Sequence, residues 1–188
     1  MNKIVGVLSY QGSVIEHMKS LSKIEGITAV EVKTLEGINS VDALIIPGGE
    51  STTISKLLKI FGLFEPLKKR IQEGMPVWGT CAGMILLANN IVGEEAHLQC
   101  MDITVKRNAY GSQLDSFSCE EIIPEFSQEP LPLIFIRAPY IKSVGDKVQV
   151  LCELNGHIVS ARQGNVLVTS FHPELTDDIT IHKYFCNM

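Results

Sequence analysis

Along the first half of the chain, short unbroken apolar runs alternate with stretches of helical pattern. Ile4-Val5-Gly6-Val7-Leu8 is apolar throughout, as expected of a strand buried on both faces. Ser13-Val14-Ile15-Glu16 follows with the S-x-x-E spacing of a capping box, which predicts a helix start. The β-rich stretch Ala29 to Val32, the run Ala43 to Ile46, a helical stretch from Thr52 to Ile60 and another from Glu65 to Glu73 continue the alternation. Parallel βα units are the fold class this order predicts. A further strand, Pro76 to Gly79, runs into Cys81, and Ala82 to Asn89 is rich in helix formers. From Gln99 the pattern changes to short strand-like runs: Asp102 to Lys106, Ser116 to Ile123, Leu133 to Ile136, Val148 to Leu154, His157 to Ala161 and Val166 to Phe171. Glu121 to Pro132, with three prolines, reads as a surface loop, and Asp177 to Phe185 as a last helix. Neither a linker nor a repeat interrupts the pattern, so residues 1–188 are expected to form a single domain.

Composition narrows the class. The 188 residues are 45% hydrophobic and 20% charged, enough for one sizeable core. The net charge of -5, with Lys and Arg scattered, argues against a nucleic-acid partner. The longest apolar runs fall far short of the roughly 20 residues of a membrane helix. The amino terminus lacks the pattern of a secretory signal, so a cytoplasmic protein is expected. Five cysteines, Cys81, Cys100, Cys119, Cys152 and Cys186, are an odd number without a C-x-x-C pair, which disfavours a disulfide framework. Four of them read as small buried hydrophobes.

Cys81 differs because of its neighbours. Gly79-Thr80-Cys81-Ala82-Gly83 has the form G-x-C-x-G, the cysteine counterpart of a nucleophile elbow, in which glycines allow a tight strand-to-helix turn. A thiol at a helix amino terminus is activated by the unpaired N–H groups there, and the Ala82 N–H can serve an oxyanion. A glycine-flanked packing cysteine would have the same sequence. Ser170-Phe171-His172-Pro173-Glu174 supplies a base and an orienting carboxylate: an extended His172 before proline and Glu174 two places on project to one side. By itself it could be a surface turn. With the elbow, it makes a Cys81, His172, Glu174 triad. Pro47-Gly48-Gly49-Glu50-Ser51 follows a buried strand, and its N–H groups could complete an oxyanion site or cradle a phosphate; neither a P-loop nor a G-x-G-x-x-G supports the second.

Together these motifs resemble the class I, or triad, glutamine amidotransferases. More narrowly, the chain is similar to the family of pyridoxal phosphate synthase glutaminase subunits. That likeness is carried by Gln11-Gly12, Gly48 to Thr53, Arg107-Asn108, Tyr110-Gly111, Asp115-Ser116-Phe117, Phe135 to Pro139 and Ser170 to Thr176. It implies a three-layer α/β/α, flavodoxin-like fold with a mixed, mostly parallel sheet. It also implies glutamine contacts at Gly49, Glu50, Ser51, Arg107, Ile136 and Arg137, an oxyanion hole from Gly49 and Ala82, and neither metal nor cofactor. The implied reaction is hydrolysis of L-glutamine through a Cys81 thioester, with ammonia passed to a separate β/α-barrel synthase subunit that makes pyridoxal phosphate. Tyr10 departs from the family, where an aliphatic residue is common. The alternatives are the glutaminase of another synthase, such as imidazole glycerol phosphate synthase, a related cysteine hydrolase, and a non-enzymatic pseudo-glutaminase that only binds.

Overall fold

The computed structural model describes residues 2–107 and 116–188. In chain order the elements are β1 (Lys3–Leu8), α1 (Val14–Leu21), β2 (Ile27–Val32), α2 (Leu35–Ser40), β3 (Ala43–Ile46), α3 (Ser51–Ile60), α4 (Phe64–Gln72), β4 (Val77–Thr80) and α5 (Ala82–Leu87). They continue as β5 (Ala88–Ile91), β6 (Met101–Lys106), β7 (Ser116–Glu121), β8 (Leu131–Ile136), β9 (Tyr140–Val144), β10 (Gln149–Leu154), β11 (His157–Gln163), β12 (Val166–Thr169) and α6 (Thr180–Cys186).

Five strands run parallel in the order β2-β1-β3-β4-β12, and the sheet then continues through antiparallel β11, β9 and β6 to β5, with β10 on β11. β3, β4 and β12 are buried at every position, which is why their sequences show no polar alternation and carry polar groups only at the terminal Thr80 and Thr169. Their side chains alternate between two apolar layers. Leu44, Ile46, Val77 and Val168 pack on one side with Ile54 and Leu58 of α3 and Leu67 and Ile71 of α4. Val7, Ile45, Trp78 and Leu167 pack on the other with Leu21 of α1, Phe185 of α6 and Phe135 of β8. The three-layer α/β fold with a mixed, largely parallel sheet is therefore present, one outer layer being part helix and part β7–β8 ribbon.

Several local expectations change. The helix after Cys81 stops at Leu87, and Ala88 to Ile91 pairs with β6 as a strand, because a neighbouring backbone there overrides helix propensity. The loop expected over Glu121 to Pro132 is narrower, since Glu121 still belongs to β7 and Pro132 pairs with Glu120 at a ribbon edge that tolerates a missing N–H. α2 and β9 carried no legible pattern; α2 is only six residues long and starts where the Thr34 hydroxyl accepts from Gly37 N at 3.1 Å. Tyr10 stacks on Phe61 with centroids 5.4 Å apart and donates to Lys33 O, so this position packs an aromatic pair. No helix among the described residues is long and apolar enough to cross a membrane.

Candidate active site

Parallel strands deliver their following loops to one edge, and β3, β4 and β12 bring residues 47–50, Cys81 and residues 170–174 together there. Cys81 sits between β4 and α5 at φ 49° and ψ -104°, a conformation that costs a non-glycine residue of order 1–3 kcal/mol. The turn is held by Cys81 N donating to Thr169 O at 2.8 Å. The flanking glycines are needed for space. A Cβ on Gly83 would lie 2.1 Å from Ile46 O, and one on Gly79 2.5 Å from the Gly83 backbone. α5 thus starts hard against β3 and β4 and leaves the nucleophile at the tip.

His172, at φ -111° and ψ 85°, lies short of fully extended backbone, with its N–H donating to Ile134 O at 2.8 Å. Glu174 is not in an extended segment either. Pro173–Leu175 forms a single 3-10 turn, which folds the carboxylate back so that Oε1 is 2.7 Å from His172 Nδ1. Burial opposes charge on the imidazole, yet the interactions with Cys81 and Glu174 outweigh it and raise His172 to about 10. Burial likewise favours a neutral Glu174, but the hydrogen bonds of His172 and Ser13 and the charge on the His172 imidazolium oppose it and bring it down to about 2. A carboxylate and an imidazolium with its remaining nitrogen free for the thiol is the arrangement a Cys-His-Glu triad requires.

Ser13 was expected to cap α1. Its hydroxyl makes no cap bond and instead donates to Glu174 Oε1 at 2.6 Å. The buried carboxylate is the stronger acceptor. His17, one turn along α1, is buried behind Glu174 together with His182 of α6. Sequence reasoning passed over all three roles; the one available signal was the i, i+4 spacing of Ser13 and His17, which puts both on one helix face.

The Gly48-Gly49 loop is bolted to the start of α1. Gly48 O accepts from Ser13 N at 3.3 Å, Gln11 Oε1 accepts from Glu50 N at 2.8 Å, and Gly12 at φ +93° passes so close that a Cβ would lie 1.4 Å from Gly48 O. This gives Gln11-Gly12 a physical reason. A cleft of about 510 Å³ opens at this edge, lined by Gly49, Glu50, Cys81, Ala82, Arg107, Ile136, Arg137 and His172 among others. Ser51 and Glu174 stand behind that lining.

Electrostatics separates the proposed glutamine contacts. The Glu50 carboxylate caps α3, accepting from Thr52 N at 3.1 Å and from Thr53 N and Oγ1 at 2.7 Å each. Desolvation opposes its charge, but these bonds and Arg107 hold it near 2. Arg107 Nε is 2.9 Å from Glu94 Oε1, its Nη1 is 3.5 Å from Glu50 Oε1, and its Nη2 donates to the buried Ser51 hydroxyl. Arg137, at φ 44°, lines the cleft and has no ion pair among the described residues. Asn108, Tyr110, Gly111 and Asp115, part of the family likeness, lie outside the described residues.

Acid should weaken this site in two stages. Burial lowers His182 to about 3 from an ordinary 6.5, so the unfolded chain binds a proton there that the folded one does not. Stability is therefore expected to fall as pH drops from 6.5 towards 3, and Glu174 adds to the fall from 4.5 towards 2. His172 works in the opposite sense: its contribution is complete below 6.5 and lost as pH rises through about 10. Thermal midpoints measured across pH should show the acid fall, and His182→Phe should flatten its upper part; an unchanged slope in that variant would refute the assignment.

Residues 7–188 match the SNO glutamine amidotransferase family. The chain is 57% identical over 182 residues to the pyridoxal 5'-phosphate synthase subunit PdxT of Clostridium beijerinckii, covering 96% of this chain and 95% of that one. It is 55% identical to the protein of the same name from Caldanaerobacter subterraneus subsp. tengcongensis, covering 98% of each. A crystal structure titled glutamine amidotransferase superimposes with a TM-score of 0.91 at 44% identity over 97% of both chains. PurLQS of Thermotoga maritima, at 17% identity and a TM-score of 0.69, shares the fold. With the match extending over nearly its whole length and a Cys-His-Glu cluster at the sheet edge, this chain belongs to the SNO glutamine amidotransferase family.

Proposed function

We propose that the chain is the glutaminase subunit of a pyridoxal 5'-phosphate synthase, with Cys81 as nucleophile, and that it acts as one domain in the cytoplasm. The observation that carries the reading is Cys81 held on a strained elbow, beside a His172–Glu174 pair, in a cleft lined by Arg137, which has no ion pair among the described residues. The curated relatives above carry that subunit's name.

The Cys81 thiolate attacks the side-chain amide carbon of glutamine, and the carbonyl π electrons move onto oxygen. The N–H groups of Ala82 and Gly49 receive that oxyanion. His172 gives its proton to the departing nitrogen, the C–N bond breaks, and ammonia leaves a glutamyl thioester on Cys81. Water, deprotonated by His172, then attacks the thioester; the C–S bond breaks, releasing glutamate and restoring the thiolate. Glu174 keeps Nδ1 protonated throughout and so keeps the other nitrogen in the proton transfer.

Arg137 is assigned the α-carboxylate of glutamine, since Arg107 is already engaged by Glu50 and Glu94. Arg137→Met should raise KM for glutamine with little change in kcat, by roughly ten- to hundredfold if a charged hydrogen bond worth about 1.5–3 kcal/mol is lost. Steady-state glutamate release measures this; a kcat loss at constant KM would contradict the role.

Ammonia is useful only with an acceptor at hand, and we assign that acceptor to a separate β/α-barrel synthase subunit. Gly48 O is tied to Ser13 N, and the C=O and N–H of a trans peptide point in opposite directions. A body docking on the start of α1, where Ile15 is 77% exposed, would therefore bear on the Gly49 oxyanion donor. Glutamate release with and without a pyridoxal phosphate synthase barrel subunit tests the assignment. Strong stimulation is expected; stimulation by an imidazole glycerol phosphate synthase subunit instead would select the other glutaminase reading.

A further inference from the structure

On the side of Glu174 away from His172 the fold buries two histidines that no step above uses. His17 and His182 expose no surface to solvent. His17 Nδ1 is 3.0 Å from His182 Nε2, while His17 Nε2 is 3.3 Å from Thr80 Oγ1 and 3.6 Å from Glu174 Oε2. Trp78 packs edge-on against both rings, with centroids 5.5 Å and 4.9 Å away, and its N–H is committed to Thr169 Oγ1. Apart from that approach of His17, Glu174 Oε2 lacks a hydrogen-bond partner among the described residues, and so does His182 Nδ1.

These contacts decide where the protons sit. Burial holds both rings neutral, against the pull of Glu174 in the opposite direction. Each neutral ring has one donor and one acceptor nitrogen. If His17 carried its proton on Nδ1, it would donate to His182, leaving a buried N–H on His182 Nδ1 with no acceptor. The His17 Nε2 lone pair would then face the Glu174 carboxylate. In the other arrangement His182 Nε2–H donates to His17 Nδ1, and His17 Nε2–H points at Thr80 and Glu174 Oε2. Only a lone pair on His182 is then unpartnered, and a buried orphan acceptor is less unfavourable than a buried orphan donor beside a lone-pair clash.

We propose that His17 is a positioning residue for the triad, fixed by His182 in the Nε2–H tautomer and directing that N–H at the Glu174 oxygen that His172 does not use. Ser13 and His172 share Oε1, so without His17 the carboxylate is anchored at one oxygen and free to rotate about it. With His17 both oxygens are directed, and the orientation of the His172 ring follows. The line His182, His17, Glu174, His172 thus carries the placement of α6 to the base that serves Cys81.

The inference rests on Glu174 being the third member of the triad, and two measurements separate the claims. In ¹⁵N-histidine spectra of the wild-type chain, with signals assigned through His17→Gln and His182→Phe, His17 should show a protonated Nε2 and a bare Nδ1 near neutral pH. A protonated Nδ1 overturns the proposal whatever the enzyme does. In glutamine hydrolysis with the synthase subunit present, His17→Met should lower kcat roughly ten- to hundredfold, the usual range for losing an orienting partner, with KM unchanged because His17 lies outside the cleft. His17→Gln, whose amide nitrogen can replace Nε2–H, should retain most of kcat. Equal loss in both variants, or a wild-type kcat in His17→Met, overturns it. If Glu174→Ala hydrolyses glutamine as well as wild type, the triad reading itself fails.

Discussion

Cys81→Ala is expected to lower glutamine hydrolysis by at least about four orders of magnitude, the scale of removing the nucleophile from a triad whose members act as a unit. The fold should survive. Alanine keeps the Cβ, and the elbow is held by backbone bonds such as Cys81 N to Thr169 O. Glutamate release, measured with the synthase partner, reads the loss, and an electrophilic glutamine analogue should add its mass to wild type but not to the variant. Because the nucleophile's task ends with ammonia, a complex carrying Cys81→Ala should still make pyridoxal phosphate from added ammonium salt. Unimpaired glutamate release would remove Cys81 from the mechanism. Failure of ammonium rescue would instead point to a broken complex.

Gly48→Ala should come next in severity, at roughly a hundredfold or more in kcat. Its backbone is not in the left-handed region, so alanine is tolerated by the chain itself. The difficulty is the neighbour: the new Cβ would lie 2.6 Å from His172 Cε1 and 3.5 Å from Cys81 Cβ. His172 cannot retreat freely, because Glu174 and Ile134 O hold it. Either the imidazole or the oxyanion loop must move, and a misplacement near 1 Å costs about 10²-fold. Kinetics alongside a thermal melt tests this. A melt near wild type with a large kcat loss is expected; activity close to wild type would mean that the loop relaxes without consequence.

The elements most plainly legible in the sequence were those whose burial is uniform, although β6, β7, β10 and β11, with mixed burial, were also readable as strands. β3, β4 and β12 are covered on both faces, so all but their terminal threonines, Thr80 and Thr169, are non-polar and the run announces itself. The ribbon strand β7 was readable despite alternating exposed and half-buried residues, whereas β9 mixes polar with apolar positions and its composition marks it weakly. Ala88 to Ile91 illustrates the general difficulty. Its residues suit a helix extension, and only the backbone of β6 beside it makes a strand the better state.

The placement of Cys81, His172 and Glu174, the proposed catalytic residues, was legible for a related reason. Cys81 between two glycines, and Glu174 two residues after His172, are contacts within a few residues of chain, where covalent geometry limits the choices. The same proximity argument misassigned Ser13, whose local role as a helix cap lost to a carboxylate 161 residues away. The family resemblance named Arg107 and Arg137 alike as glutamine contacts, whereas Glu50 and Glu94 engage the first and the second has no ion pair among the described residues. By itself, then, the sequence determined which strands are buried, where the elbow lies, and which cysteine, histidine and carboxylate are proposed as nucleophile, base and orienting group. The tertiary structure alone decided which partner each polar group takes. Hydrogen bonds and ion pairs are settled by the strongest acceptor or counter-charge within about 3 Å after folding, and that distance bears no relation to separation along the chain.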